Sequence, residues 1–269
     1  MKKLLFTLLL LLNAPLTLAE KSLTFALVPQ QSASKLAKLW TPIFEEITLK
    51  SGIKIKFATA PDIPTFEKRL AEGEYDIAYM NPYHYVVFNK SNGYQALAKA
   101  RDKRIKGIIV VAKDNSINSL EDLNNTTLAF PAPAAFAATI LTQSDLSKTQ
   151  AEFSPRYVSS HDSVYRTVAK GIYPAGGGVL RTFNNVAPDI KDKLRVLWTT
   201  KGYTPHAIAT HPRVTPEQAK KIQIALVEME QTKSGKALLN NIKIKGFETA
   251  NNADWDDIRE LNISTKIAE

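Results

Sequence analysis

Leu23 to Val28 is apolar and stops at Pro29, and Leu36, Leu39, Trp40, Ile43 and Ile47 then recur at helical spacing through about Lys50. Gly52 breaks that helix, and Ile53, Ile55 and Phe57 alternate with lysines as a half-exposed strand. Asp62 caps a second helix with Pro64 in its first turn, Phe66 and Leu70 on its buried face and Gly73 at its end. A third strand from Tyr75 to Tyr79 leads into Met80-Asn81-Pro82-Tyr83-His84-Tyr85 and another helical stretch. This alternation predicts a mostly parallel, doubly wound sheet.

Two consecutive strands, about Tyr94 to Ala100 and Ile105 to Lys113, interrupt the rhythm, which restarts at Thr126. Further strands are expected at Arg156 to Ser159, Ala175 to Val179 and Leu194 to Thr199, with a helix from Asp162 to Lys170. The alternation stops again after Trp198. Thr215-Pro216-Glu217-Gln218 is a helix start with an N-cap, proline at N1 and glutamine at N3, followed by the stripe Ala219, Ile222, Leu226 and Met229. Two α/β lobes account for both interruptions. Residues 20–112 with 206–269 form the first, residues 113–205 the second, and a two-stranded hinge joins them.

The chain begins with Lys2 and Lys3, an apolar run from Leu4 to Leu12, and the small-residue end Thr17-Leu18-Ala19. That run is too short to span a bilayer and predicts a cleaved secretory signal at residues 1–19, with an uncleaved anchor as the alternative. The 269 residues include no cysteine, which removes disulfides, thiolate metal sites and a lipid-modified N-terminal cysteine. A soluble periplasmic monomer is the expectation, without cofactor or metal. The net charge of +9 is spread over scattered lysines, Lys35, Lys38, Lys50, Lys54, Lys56, Lys99, Lys103 and Lys106 among them. No basic block stands out, so these read as a solvated face and no nucleic acid is implied.

The candidate chemistry lies where strands run into helices. Thr126 to Phe130 is a short buried strand, Pro131 and Pro133 forbid further pairing, and an alanine-rich helix opens at Ala135-Phe136-Ala137. Such a helix aims free N–H groups beyond the strand's carboxyl end, where open α/β sheets bind ligands. A crossover without a ligand has the same local pattern. Gln30 follows the first strand, and Tyr79, Asn81 and Tyr83 follow the third, offering amide donors and flat walls; the tyrosines read equally as core. Ser160 and His161 open the helix at 162, His161 as an anion contact or as a cap. Arg181, after the glycines at 176–178, suits a bidentate carboxylate or phosphate contact and equally an interlobe ion pair. Tyr203 and His206 fall at the hinge or the cleft rim.

The order of Tyr75-Asp76-Ile77-Ala78-Tyr79-Met80-Asn81-Pro82, Ile108 to Asp114, Leu128 to Ala138, Ser160-His161-Asp162-Ser163-Val164-Tyr165 and Ala175 to Phe183 resembles the phosphate/phosphite/phosphonate-binding proteins of ABC importers. The resemblance covers nearly all of the mature chain and implies a type II periplasmic binding protein fold that closes on a ligand. It also implies that His161 matches the family's histidine at the start of this helix. In the family's phosphonate binders the helix after the 126–130 strand opens with a Ser-Thr-Ser-like group. Here Ala135-Phe136-Ala137 stands in its place, keeping the amides and losing the hydroxyls. The acidic residues that hold a ligand amine are replaced near Leu180-Arg181 and Pro205-His206.

The expected function is capture of a small, anionic organic ligand for the membrane subunits of an ABC importer. A planar portion is also expected, because Phe136, Tyr79, Tyr83 and Tyr165 offer flat surface. A ligand sensor for a membrane receptor kinase uses the same fold. An exported hydrolase is the third reading, and the residues give it little. Ser160, His161 and Asp162 are adjacent and do not align as a triad, and neither a Gly-x-Ser-x-Gly elbow nor a His-Glu-x-x-His helix is present.

Overall fold

The computed structural model describes residues 22–263; the expected signal at 1–19 lies outside them. In chain order the first lobe opens with β1 (Leu23–Leu27), α1 (Ala33–Ser51), β2 (Ile55–Ala58), α2 (Ile63–Ala71), β3 (Ile77–Met80), α3 (Pro82–Asn92) and β4 (Gln95–Ala100). The second holds β5 (Gly107–Ala112), β6 (Thr126–Phe130), a π-helical segment Phe136–Leu141 running into α4 (Thr142–Ser147), β7 (Phe153–Tyr157), α5 (His161–Ala169), β8 (Ala175–Val179), α6 (Leu180–Asn184), α7 (Pro188–Lys191) and β9 (Leu194–Thr199). The chain returns through β10 (Ala207–Thr210), α8 (Pro216–Val227), α9 (Lys233–Asn241), β11 (Phe247–Thr249) and α10 (Asp256–Arg259).

The first sheet has the order β11-β4-β10-β3-β1-β2 and the second β7-β6-β8-β5-β9. Apart from the β11 edge, both follow one plan. Three parallel strands meet an antiparallel strand from next to a crossover, and beyond it lies a strand that pairs antiparallel with that one and so runs in the direction of the first three. The sheets are therefore mixed rather than mostly parallel. β5 belongs to the second sheet, pairing with β8 and β9, so the chain leaves the first sheet after Ala100 and not near residue 112. Ile108, Ile109, Val110 and Val111 are buried on both faces, and an apolar run of that kind carries no mark of which sheet it enters. Ile105 pairs with Tyr203 through two backbone hydrogen bonds, tying the two crossing segments together.

Among the described residues, side-chain caps start five of the ten α-helices, α2, α3, α5, α8 and α9. Asp62 Oδ1 accepts from the Thr65 amide, and Thr215 with Gln218 forms a reciprocal capping box. β7 ends at Tyr157 instead of reaching Ser159, whose backbone is left-handed at φ +71° and turns the chain into α5.

The π-helical segment lies directly on the second sheet, and glycine makes that approach possible. A Cβ on Gly177 would stand 1.9 Å from the Ala138 carbonyl oxygen and 2.6 Å from the Phe130 ring. On neighbouring β5, a Cβ on Gly107 would stand 2.1 Å from the Ala137 carbonyl oxygen. Gly177→Ala is expected to destabilise the protein by about 1–3 kcal/mol through overpacking, seen as a lower urea midpoint. An unchanged midpoint would show that the segment can lift off the sheet at no cost.

Candidate functional site

The carboxyl ends of the central strands face each other across the cleft, and their first residues beyond the sheet meet there. After β3, Asn81 caps α3, its Oδ1 accepting from the His84 amide at 2.8 Å. Its Nδ2 donates to the Ala134 carbonyl of the other lobe at 3.1 Å, so one side chain serves helix and closure together. After β8, the short helix α6 presents Arg181, whose Nη2 donates to Gln30 Oε1 at 2.6 Å. Gln30 Nε2 lies 2.9 Å from His206 Nε2. The His206 ring stacks on Tyr79 with centroids 4.9 Å apart and planes 17° from parallel, and the Arg181 guanidinium carbon lies 6.0 Å from the Tyr79 centroid. Lys35 Nζ donates to the Asn185 carbonyl at 2.5 Å, a further contact between lobes.

Two adjoining cavities flank this bridge. The smaller, about 10 Å³, is lined by Gln30, Asn81, His161 and the segment Ala135 to Ala138. The larger, about 90 Å³ and partly open to solvent, is lined by Tyr79, His206 and Arg181 together with the hinge residues Lys103, Arg104 and Lys106. Ile105 and Val179 line both. In the smaller cavity the amides of Phe136, Ala137 and Ala138 precede the first intrahelical bond, which Thr139 makes to Ala135. Phe136 is 1 % exposed and stands edge-on to Tyr203 at 5.9 Å, so its ring takes up much of the space beside these amides.

Protonation follows from the bridge. Arg181 is a pure donor and fixes Gln30 with its oxygen toward the guanidinium, which turns the amide nitrogen to His206. His206 Nε2 must then accept, so its ring is neutral with the proton on Nδ1. Burial, then the charge of Arg181, holds the His206 pKa well below the ordinary value. Burial and then Arg181 likewise lower His161 to about 3, and its buried Nδ1 has no hydrogen-bond partner. Burial raises the Tyr79 hydroxyl, with Arg181 opposing.

Of the residues singled out from sequence, Gln30, Asn81, Ala135, Phe136, Ala137 and His161 meet around the smaller cavity, and Tyr79, Arg181 and His206 around the larger. Tyr83 and Ser160 line neither. Tyr83 is buried in the first turn of α3, and Ser160 caps α5 by accepting from the Ser163 amide. Tyr165 offers no flat surface to the cleft; it is fully buried, its hydroxyl bonded to β8 and Thr182. Tyr203 belongs to the hinge. The sequence reading missed Lys103 and Lys106, taken as solvated lysines, and Arg104. The signal that could have found them is their place on the crossover between two strands.

Because His161 and His206 stay neutral when folded, their contribution to stability is complete above the unfolded pKa of about 6.5 and is lost as pH falls below it. Within that window each costs about 1.4 kcal/mol per pH unit. Urea unfolding is expected to show stability falling between about pH 6 and about pH 5, with a shallower slope for His161→Gln. Equal slopes for the two proteins would place a charged His161 in the fold.

Among the described residues no group of His, Cys, Asp or Glu is placed to hold a metal ion. The sequence profile described as "ABC transporter, phosphonate, periplasmic substrate-binding protein" matches residues 25–255. Over 264 residues the chain is 24 % identical to the phosphonates-binding periplasmic protein of Escherichia coli, covering 90 % of this chain and 76 % of that one. It is 21 % identical over 282 residues to the phosphate-import protein PhnD of Mycolicibacterium smegmatis, covering 90 % and 85 %. Its fold superposes with a TM-score of 0.82 on PhnD1 of Prochlorococcus marinus in complex with methylphosphonate, at 18 % identity over 90 % of this chain and 97 % of that one. With the residues of its cleft gathered from two lobes of this fold, the chain belongs to the periplasmic substrate-binding proteins of phosphonate ABC transporters, a family of binding proteins and not of enzymes.

Proposed function

We propose that this protein captures a small organic anion between its lobes and presents the closed form to the membrane subunits of an ABC importer. The observation that carries the reading is Arg181, which reaches across the cleft to a neutral amide, in a cavity whose walls hold cations and no carboxylate. A carboxylate or phosphate oxygen would give the guanidinium a charge-assisted, bidentate partner in place of the single bond to Gln30. The partner must tell loaded from empty protein, and a ligand touching Arg181 from one lobe and Tyr79 or His206 from the other favours the closed state.

The Tyr79 and His206 rings, stacked on each other, both line the larger cavity and suit contact with a planar portion of the ligand. The 135–137 turn supports the same choice, because it offers amides without hydroxyls and carries a buried phenyl ring. A bare tetrahedral oxyanion finds fewer donors there. Gln30, Asn81 and His161 orient the remainder of the ligand. The protein acts as a monomer, exported with residues 1–19 removed.

Calorimetry is expected to show an aromatic acid such as benzoate bound more tightly than inorganic phosphate or methylphosphonate. Arg181→Ala is expected to weaken that binding roughly tenfold to a hundredfold. Tight binding of phosphate or methylphosphonate, indifferent to Arg181→Ala and to Phe136→Ala, would contradict the reading. Mass spectrometry of the exported protein should find its first residue at Glu20; an intact start at Met1 in the membrane fraction would refute the export step.

A further inference from the structure

Arg181 stands on α6, a helix of five residues whose N-cap position, Val179, supplies no side-chain cap. Something else must therefore set where the guanidinium points. α6 starts where β8 ends, and at that end β8 has lost a neighbour. Among the described residues β6 meets β8 only at Ala129 and Gly176, whereas pairing with β5 runs on to Gly107 and Val179. The amide and carbonyl of Val179 turn instead to α5, where the Tyr165 hydroxyl receives them.

Four polar groups close into a cycle here. The Val179 amide donates to Tyr165 Oη at 3.1 Å, and Tyr165 Oη lies 2.8 Å from Thr182 Oγ1. Thr182 Oγ1 donates to the Val179 carbonyl at 2.9 Å, with Tyr165 Oη 3.2 Å from the same oxygen. Each hydroxyl carries one proton, so amide to Tyr165, Tyr165 to Thr182 and Thr182 to carbonyl uses every donor once. All three residues are buried. Burial raises the Tyr165 pKa, opposed by the bonds from Thr182 and Val179, and the phenol keeps its proton. Gly178 admits the ring, since a Cβ there would stand 2.4 Å from Tyr165 Oη. The cycle brackets Arg181, which lies in the chain between Val179 and Thr182.

We propose that Tyr165 is the positioning residue for Arg181, its hydroxyl holding α6 in the one arrangement that aims the guanidinium across the cleft. This rests on the reading that Arg181 receives the anion of the solute, and it adds the group that keeps Arg181 in place. Tyr165 lines neither cavity, so it acts through Val179 and Thr182 alone. Without the hydroxyl the Val179 amide is a buried donor lacking a partner, and α6 has to shift to find one. A displacement of about 1 Å is enough to spoil a well-aimed polar contact on the order of tenfold or more. His161, one helical turn before Tyr165 on α5, lines the smaller cavity directly. One helix face thus supplies a residue to the cleft and the support for its cation.

Tyr165→Phe keeps the ring, which stands edge-on to Phe183 at 5.6 Å, and removes only the hydroxyl. Calorimetry with benzoate is expected to show Tyr165→Phe and Thr182→Val each weakening binding on the order of tenfold, with Thr182→Ser close to the native protein. In an Arg181→Ala background Tyr165→Phe is expected to weaken binding no further, a coupling that a merely structural role does not produce. Unchanged affinity in both hydroxyl variants, or an equal loss with and without Arg181, overturns the proposal. A crystal structure of Tyr165→Phe tests the placement without any ligand. With the second lobes superposed, Arg181 is expected to move by about 1 Å or more, and an unmoved Arg181 overturns the proposal. Failure of the native protein to bind benzoate overturns the organic-anion reading alone, and the crystal structure still decides whether Tyr165 positions Arg181.

Discussion

One hydrogen-bonded bridge, Arg181 to Gln30 to His206, joins the two lobes through the middle of the cleft. Its chemistry dictates what surrounds it. Arg181 offers only donors, so Gln30 must turn its oxygen to the guanidinium and its nitrogen to His206, and His206 must remain neutral to accept. The same positive charge helps keep His161 neutral and lies near the face of Tyr79. The bridge also parts the space between the lobes, with Gln30 lining one cavity and Arg181 and His206 the other.

The second lobe is shaped to bring this about. Gly107 and Gly177 let the π-helical segment settle on the sheet, which carries Ala135 to Ala138 into contact with the first lobe's core. Asn81 Nδ2 donates to the preceding carbonyl, that of Ala134, and Phe136 packs against Tyr203 where the crossing segments pair. The apolar cluster of the first lobe thus includes Phe136 and Val179 of the second. The lobes meet through apolar surface around a small number of placed polar groups, and a ligand able to replace the Gln30 contact enters a site already formed.

What the sequence made legible was local. Asp62, Thr215 and Gln218 announce helix starts because capping requires a side-chain oxygen at a fixed offset. Ala175–Val179 and Leu194–Thr199 coincide with their strands because turn residues bound both runs. The turn after Phe130 was recognisable because proline cannot continue a central strand, β6 being paired on both sides, whereas the edge strand β7 accommodates Pro155. The sheet to which β5 belongs was not legible, since an apolar run reports burial and says nothing of its neighbours. Antiparallel β10, four residues after a long loop, left little periodicity to detect. Tyr83 and Tyr165 misled for a related reason: a buried tyrosine looks the same whether its ring faces a core or a cleft. Lys103 and Lys106 were passed over because scattered lysines are ordinarily solvated, and only the folded hinge sets them beside Arg181.

The central claim is that Arg181 receives the anionic group of the ligand, exchanging a neutral amide for a charge. A crystal structure of the protein purified without stripping its native ligand tests this most directly. The account predicts an acidic group of the ligand within hydrogen-bond distance of the Arg181 guanidinium, with Gln30 released from it. A ligand held by the amides of residues 136–138 alone, with Arg181 still bonded to Gln30, would contradict it.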